Sequence, residues 1–360
     1  MIYCVIFAVL MVLAFLERFT IYREKTYYRL FLFAVLVMYL LGSLRWQRGT
    51  DWSSFYYFFQ DPWTWWDVHF EAGYTLLNRI VRRITDNYTV FLFIQNAICF
   101  GMMINIYKKI HEDQTDVKSY FFILLLYSFS DSLSAMFSTR SQIAGLLCMC
   151  ALINLSREKK LRFVIEVLIA SSFHLMSISF FLALPLIYYK GDYKKYLAVI
   201  GVLTLLALAL PSVITKVMGS IPLLSRYTVY INTSSRSFSV VGVAKWLLLL
   251  CVFIFTKKYS TYKYYDLCLI LFTLGVAIYI WSSVYSFYFT RIAGIFLSTA
   301  VMMLPSVFRT LKEEDVMAVF LVFCAVCFVF LFTLMHGEYS VLYIPYKSVF
   351  DNFNVISDIY

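Results

Sequence analysis

The sequence predicts an all-α polytopic membrane protein. Of its 360 residues, 62% are hydrophobic and 14% are charged, whereas soluble domains carry about 25% charged residues. The apolar residues form repeated runs, many of which approach the ~20 residues that a membrane-spanning helix needs. Short loops rich in Lys and Arg join these runs, as expected where loop charge sets membrane orientation. An ordinary soluble fold is therefore excluded, and the net charge of +10 indicates topology rather than a nucleic-acid partner.

The apolar runs predict about ten transmembrane helices and one broken helical hairpin, all in a single transmembrane domain over residues 1–360. The eight cysteines lie in these runs and are expected to pack as small hydrophobic residues, without forming a metal site. The runs cover residues 2–16, 28–44, 88–106, 119–137, 141–155, 163–189, 196–211, 240–256, 265–284, 291–308 and 316–335.

The basic residues of the loops predict the orientation of the chain. Arg18 and Arg29 flank the first loop and place it in the cytoplasm, so both termini are expected outside. Two longer loops then face outward, residues 45–87 and residues 212–239. The first contains an amphipathic segment, LLNRIVRRI, whose arginines are expected to contact anionic lipid headgroups.

The segment 163–189 is expected to be a re-entrant hairpin. A single helix over this range would be about 40 Å long, too long for a hydrocarbon core of ~30 Å. A simple crossing would also place the three lysines of residues 190–195 outside. We therefore predict that the chain enters from the cytoplasm, bends near residues 171–174 and returns. Broken backbone at membrane depth requires a protein environment or a water-filled cavity.

The first outer loop has the composition of a saccharide site. Residues 44–74 combine arginines, carboxylates and several tryptophans just outside the predicted bilayer. Arginines bind phosphate, carboxylates perform acid–base chemistry, and tryptophan faces such as those of Trp46 and Trp52 stack on sugar rings. The combination predicts a site for a lipid-linked saccharide. The alternative is a surface loop with an interfacial aromatic belt.

Arginine is preferred over lysine on the predicted outer side. Lysine would set the membrane orientation as well as arginine does. The preference for arginine therefore indicates that two N–H groups of a guanidinium bind a phosphate or carboxylate. Arg140 and Arg291 each open an apolar segment, where an unpaired charge would be costly. The outer arginines that we consider diphosphate-binding candidates are Arg45, Arg48, Arg140, Arg226 and Arg291.

Six short motifs lie in order along almost the whole chain. As a set they resemble the EpsG-like branch of the Wzy-type O-antigen and exopolysaccharide polymerases. The motifs are LRWQRGTDWSSFY, FEAGYTLLNRI, STRSQIAGLL, ASSFHLMS, YFTRIAGIF and IPYKSVF.

The resemblance implies an architecture similar to the GT-C glycosyltransferases, in a multi-pass protein of the bacterial inner membrane with periplasmic termini. It implies polymerisation of repeat units carried on undecaprenyl diphosphate, at the periplasmic face, without a metal or other cofactor. Donor and acceptor would both be lipid-linked glycans, and a chain-length regulator would be a protein partner. Trp52 stands where the family often has Tyr. The matching functional positions are Arg45, Gly49, Thr50, Asp51, Glu71, Gly73, Tyr74, Arg140, Phe173, His174, Tyr288 and Arg291.

Roles follow from the chemistry of such a transfer. Breaking a sugar–diphosphate bond develops negative charge on the leaving phosphate, which preorganised arginines stabilise. We assign this to Arg140 and Arg291, with Arg45 or Arg226 as a further donor. The attacking hydroxyl needs a proton acceptor, and Asp51, Glu71 and His174 are the candidates. A histidine in an apolar run can equally be structural.

Other classes remain open at this stage. An O-antigen ligase would use the same donor with a different acceptor, but such enzymes usually carry a long outer loop late in the chain. A flippase or transporter of lipid-linked saccharide would be expected to show a two-halves repeat, which the sequence lacks. A membrane acyltransferase would place its charged residues toward the cytoplasm. A purely structural role would not explain why arginines collect on the outer side.

Overall fold

The structure is a computed structural model. The structure describes residues 2–19, 24–49, 51–63, 70–114, 119–129, 133, 136–137, 139–188, 192–220, 239–258, 260, 262–285, 288–310 and 313–351.

The described chain is built from α-helices and two short 3₁₀ helices, Leu175–Leu182 and Glu338–Leu342. Within those ranges the one β-type pairing is an isolated bridge between Arg45 and Ser348. The α-helices are α1 Ile2–Phe19, α2 Glu24–Leu44, α3 Trp52–Gln60, α4 Ala72–Arg82, α5 Tyr88–Asp113, α6 Tyr120–Phe129, α7 Arg140–Ser156, α8 Lys160–Phe173, α9 Ala183–Leu186, α10 Tyr193–Ala209, α11 Pro211–Ser220, α12 Val240–Lys257, α13 Tyr265–Trp281, α14 Tyr288–Leu297, α15 Ala300–Thr310 and α16 Glu313–His336.

The helices confirm the all-α polytopic membrane class. Within the described ranges, six helical segments are long and apolar enough to cross a membrane, and one of them, Phe289–Val307, runs through both α14 and α15. Shorter apolar helices, including α6, α7 and α13, pack among them. Their side chains form one large buried core in which α5, α6, α7, α13 and α15 contribute many fully buried residues. In the loop predicted at 212–239, α11 occupies the beginning, and residues 221–238 lie outside the described part.

The hairpin predicted at 163–189 is confirmed. α8 ends at Phe173, and the chain then reverses direction: the ring of Phe163 lies 6.0 Å from that of Phe181. Lys160 Nζ lies 4.4 Å from the ring centre of Tyr188. A continuous helix would separate these pairs by about 27 Å and about 42 Å. The two ends of the segment therefore lie at the same end of the protein.

Hydroxyl side chains accompany both breaks in the helical backbone. Before the hairpin bend, Ser171 Oγ donates to the carbonyl of Val167 at 2.8 Å. A turn at Ser298 and Thr299 divides the segment predicted at 291–308 into α14 and α15, and Thr299 Oγ1 donates to Phe296 O at 2.7 Å. Such bonds compete with the backbone ladder and bend helices.

Charged and polar residues collect at the two ends of the helical bundle. At one end, Tyr3 Oη donates to the carbonyl of Tyr343 at 3.0 Å, so the start of α1 meets the C-terminal segment, residues 338–351. At the other end, Arg157 pairs with Asp113 at 2.9 Å, beside a cavity of about 280 Å³. There the buried carboxylate of Glu17 accepts the N–H of Tyr120 at 3.0 Å, which satisfies the start of α6.

The hairpin predicts the labelling pattern of introduced cysteines. In a cysteine-free background, Lys159→Cys and Asp192→Cys should react with a membrane-impermeant maleimide from the same side of the membrane. Asp61→Cys, in the first outer loop, should react from the opposite side. Labelling of Asp192→Cys and Asp61→Cys from one common side would show that the segment crosses the membrane once.

Candidate functional site

A cavity of about 410 Å³ lies between α5, α6, α7, α12, α13, α14 and the hairpin bend. One group of polar residues in its lining comes from the first turns of α7 and α14 and from the bend. Its apolar lining comes from later turns of the same helices and from α5 and α6. The polar residues of the lining include Ser141, Gln142, His174, Thr290 and Arg291. The cavity is therefore suited to a molecule with a polar head and an apolar tail.

His174 stands at the hairpin bend with its side chain in the wall of this cavity. It is 5% exposed, and neither ring nitrogen has a hydrogen-bond partner among the described residues. Nδ1 lies 3.6 Å from Glu71 Oε1, which is longer than a hydrogen bond. Buried polar groups are normally paired, so an unpaired imidazole in a cavity wall is suited to act on a bound molecule.

Glu71 connects three parts of the chain. Its Oε2 accepts a charge-assisted hydrogen bond from Nη1 of Arg140, at the start of α7. Its Oε1 accepts the backbone N–H of Leu175 at 3.0 Å, directly after the bend. The carboxylate itself belongs to the residue before α4. The side chain of Glu71 therefore links the first outer loop, α7 and the bend.

Two arginines carry the positive charge of the site. Arg140 begins α7, where the Thr139 N–H donates to Oε1 of Gln142 at 2.9 Å, and its guanidinium lies 4.8 Å from the ring centre of Phe70. Arg291 is in the first turn of α14 and lines the cavity. The two guanidinium groups are close enough to repel each other, and both act electrostatically on His174. An anion between them would relieve that repulsion.

Asp51 is the second carboxylate near these charges. It is exposed, directly precedes α3 in a left-handed conformation with φ 56°, and interacts electrostatically with Arg140. The structure thus brings together the three candidate bases and two of the candidate arginines. Which of them binds or reacts with substrate stays a prediction.

The first outer loop docks on the hairpin through Gly73. A Cβ at Gly73 would stand 2.3 Å from Ser172 Oγ and 2.9 Å from its carbonyl oxygen, so the approach of α4 to α8 requires glycine. Tyr74 is buried in an aromatic cluster with Phe55 and Phe58. These contacts account for the Glu-x-Gly-Tyr motif.

Trp52, which the sequence analysis predicts to stack on a sugar, is buried in this structure. Trp52 is 4% exposed and packs in the same aromatic cluster, stacked on Tyr56 at 5.1 Å and edge-on to Tyr88. Its face is therefore covered by protein. Trp46 packs edge-on against Trp52 at 5.0 Å and is half-buried, and its contact with a sugar stays a prediction.

Arg45 and Arg48 lie at the C-terminal segment. Arg48 donates to the carbonyls of Pro345 and Val341 and so has a structural role, and its contact with a substrate stays a prediction. Arg45 is buried, with its guanidinium 5.1 Å from the ring centre of Phe137. Burial lowers its pKa, and the neighbouring tyrosines oppose this shift. Neither arginine is among the described residues that line the cavity.

Some predicted site residues lie outside the described part: Thr50, Arg226 and the side chain of Tyr288. Conversely, the cavity includes Ser141, Thr290 and Tyr279, which sequence reasoning missed. The first two adjoin Arg140 and Arg291, and that adjacency was the available signal. Tyr279 is inside an apolar helix and carries no such signal. No cluster of three or more His, Cys, Asp or Glu able to hold a metal occurs among the described residues.

Comparison with known proteins identifies a protein family. The sequence model of the EpsG family matches residues 28–348, from α2 to the C-terminal segment. The searches of curated proteins and of solved structures gave no match.

The close approach at Gly73 predicts the effect of adding one methyl group. Gly73→Ala should lower the free energy of unfolding by about 1–3 kcal/mol, because α4 must move away from Ser172. Gly101→Ala is the matched control, since a Cβ there meets nothing within 4 Å. Thermal unfolding of both purified variants in detergent measures the difference. Equal stability of the two variants would contradict the docking role.

Proposed function

Because the chain belongs to the EpsG family, we propose that it is a membrane glycosyltransferase that polymerises lipid-linked oligosaccharide repeat units. Family membership points to a polysaccharide polymerase-type role. Our more specific proposal is transfer of the growing glycan from undecaprenyl diphosphate to a hydroxyl of an incoming lipid-linked unit. The product would be an O-antigen or exopolysaccharide, made without a metal by a GT-C-like enzyme.

One observation carries this proposal: His174 and Arg291 line the same cavity, and Arg140 acts on both. The two arginines supply the charge that a diphosphate needs. α7 and α14 also begin at the polar part of the cavity, and helix N-termini favour negative charge. The apolar walls deeper in the cavity suit the first isoprene units of the lipid. A transporter would bind the same diphosphate but would not need a proton acceptor.

The proposed reaction is a displacement at the anomeric carbon of the donor. The acceptor hydroxyl oxygen forms the new bond to this carbon, and the bond from the carbon to the diphosphate oxygen breaks. The electron pair leaves with undecaprenyl diphosphate, whose added negative charge Arg140 and Arg291 stabilise. The hydroxyl proton passes to His174 Nε2, the candidate base that lines the cavity.

We assign the cavity to the periplasmic side of the bacterial inner membrane. The polar end of the cavity lies at the same end as the start of α7, while the loops at the opposite end carry lysines and arginines such as Lys109 and Lys159. This orientation makes both termini periplasmic. Membrane lipids and a chain-length regulator are the further partners that the proposal includes.

Single substitutions at the cavity test the proposal. Arg140→Ala, Arg291→Ala and His174→Ala should each lower the polymerisation rate about 100-fold or more, by loss of charge stabilisation or of the base. Arg162→Ala is the matched control, because Arg162 is exposed on the first turn of α8. Polymer length on gels from a complemented deletion strain, with protein level, gives the readout.

Full-length polymer from Arg140→Ala or Arg291→Ala would refute the diphosphate assignment. The deletion strain also distinguishes the enzyme classes. A polymerase leaves single repeat units attached to the final acceptor, whereas loss of every attached unit would identify a ligase.

A further inference from the structure

Nη1 of Arg140 is already bonded to a carboxylate in this structure. Its guanidinium is bonded to the carboxylate of Glu71, and the side chains are 17% and 20% exposed. A diphosphate can therefore accept this hydrogen bond from Arg140 only by replacing Glu71. When the donor is bound, Glu71 must therefore find another partner.

The balance of charge favours this replacement. Arg140 stands near a second cation, Arg291, and the two guanidinium groups repel each other. A diphosphate diester carries two negative charges and can accept hydrogen bonds from both guanidinium groups. The bond to Glu71 is charge-assisted as well, but a diphosphate can form such bonds with both guanidinium groups, so the donor competes effectively with Glu71.

A second partner for Glu71 is already in place. Oε1 lies 3.6 Å from His174 Nδ1 and is held there by the N–H of Leu175. A movement of roughly 0.7 Å would bring the two atoms to a normal hydrogen-bond distance of about 2.9 Å. The carboxylate can thus turn to His174 without leaving the bend.

We propose that Glu71 is a positioning residue that exchanges partners when the donor binds, passing from Arg140 to His174. This inference rests on the proposed polymerase function. Once bonded to Glu71, Nδ1 carries the imidazole hydrogen, and Nε2 is left as the basic nitrogen on the cavity side. A carboxylate in this place fixes the tautomer and stabilises the imidazolium formed when the acceptor hydroxyl loses its proton. His174 is therefore oriented for catalysis only while a diphosphate occupies Arg140 and Arg291.

Glu71→Gln separates this role from a structural one. The amide cannot neutralise Arg140, so the variant should bind undecaprenyl diphosphate about three- to tenfold more tightly than the wild type. It also cannot stabilise the imidazolium, so kcat should fall at least about tenfold. Tighter binding with slower turnover is the signature of the exchange. The binding probe is undecaprenyl diphosphate itself, titrated against the full chain in nanodiscs.

The matched control is Glu112→Gln. Glu112 also pairs with an arginine, Arg157, at 3.2 Å, but it lies at the opposite end of the protein. The same carboxylate-to-amide change there should leave both the Kd and kcat unchanged. A structural role for Glu71 would give weaker binding and slower turnover together, and that result would overturn the inference.

Glu71→Asp tests the inference if the glutamine variant does not fold. Aspartate keeps the charge but reaches less far, so we expect a nearly unchanged Kd and a lower kcat. Weaker binding with full turnover would contradict the exchange. Failure of the polymerase proposal gives a different result: a wild-type protein that binds undecaprenyl diphosphate but does not lengthen a lipid-linked glycan.

Discussion

The site depends on one ionic contact, between Glu71 and Arg140. It joins the loop before α4 to the start of α7, and the same carboxylate holds the N–H of Leu175 after the hairpin bend. These parts are distant in sequence, and the contact brings the motifs that contain Glu71, Arg140 and the hairpin bend together in one site. A buried charge without this partner would be costly, which explains why the first outer loop must pack tightly against the hairpin through Gly73.

The membrane imposes the second constraint. A helix that breaks at membrane depth exposes backbone groups, which are tolerated only inside protein or beside a polar cavity. The break at His174 and the turn at Ser298 both meet the same cavity, and serine or threonine hydroxyls bond to nearby carbonyls at each. The irregular backbone and the polar lining of the cavity are thus consequences of the same physical requirement.

Much of the fold and part of the site could be predicted because they follow from local patterns. Hairpin length and the three lysines that follow it predicted the reversal, which the Phe163–Phe181 contact confirms. Arg140 and Arg291 were identifiable as candidate site residues because an unpaired charge at the start of an apolar segment is costly. The task of Arg48 and the burial of Trp52 were not predictable, since both depend on contacts with residues remote in sequence.

By itself, the sequence determined the membrane class, the order of the helices, the hairpin and the residue types able to hold a diphosphate. Hydrophobic length and loop charge act locally, so their consequences can be derived without coordinates. Only the tertiary structure decided which of the polar side chains share a cavity, and that Glu71 stands between Arg140 and His174. Pairing of charges depends on distances between helices, and packing of the whole bundle sets those distances.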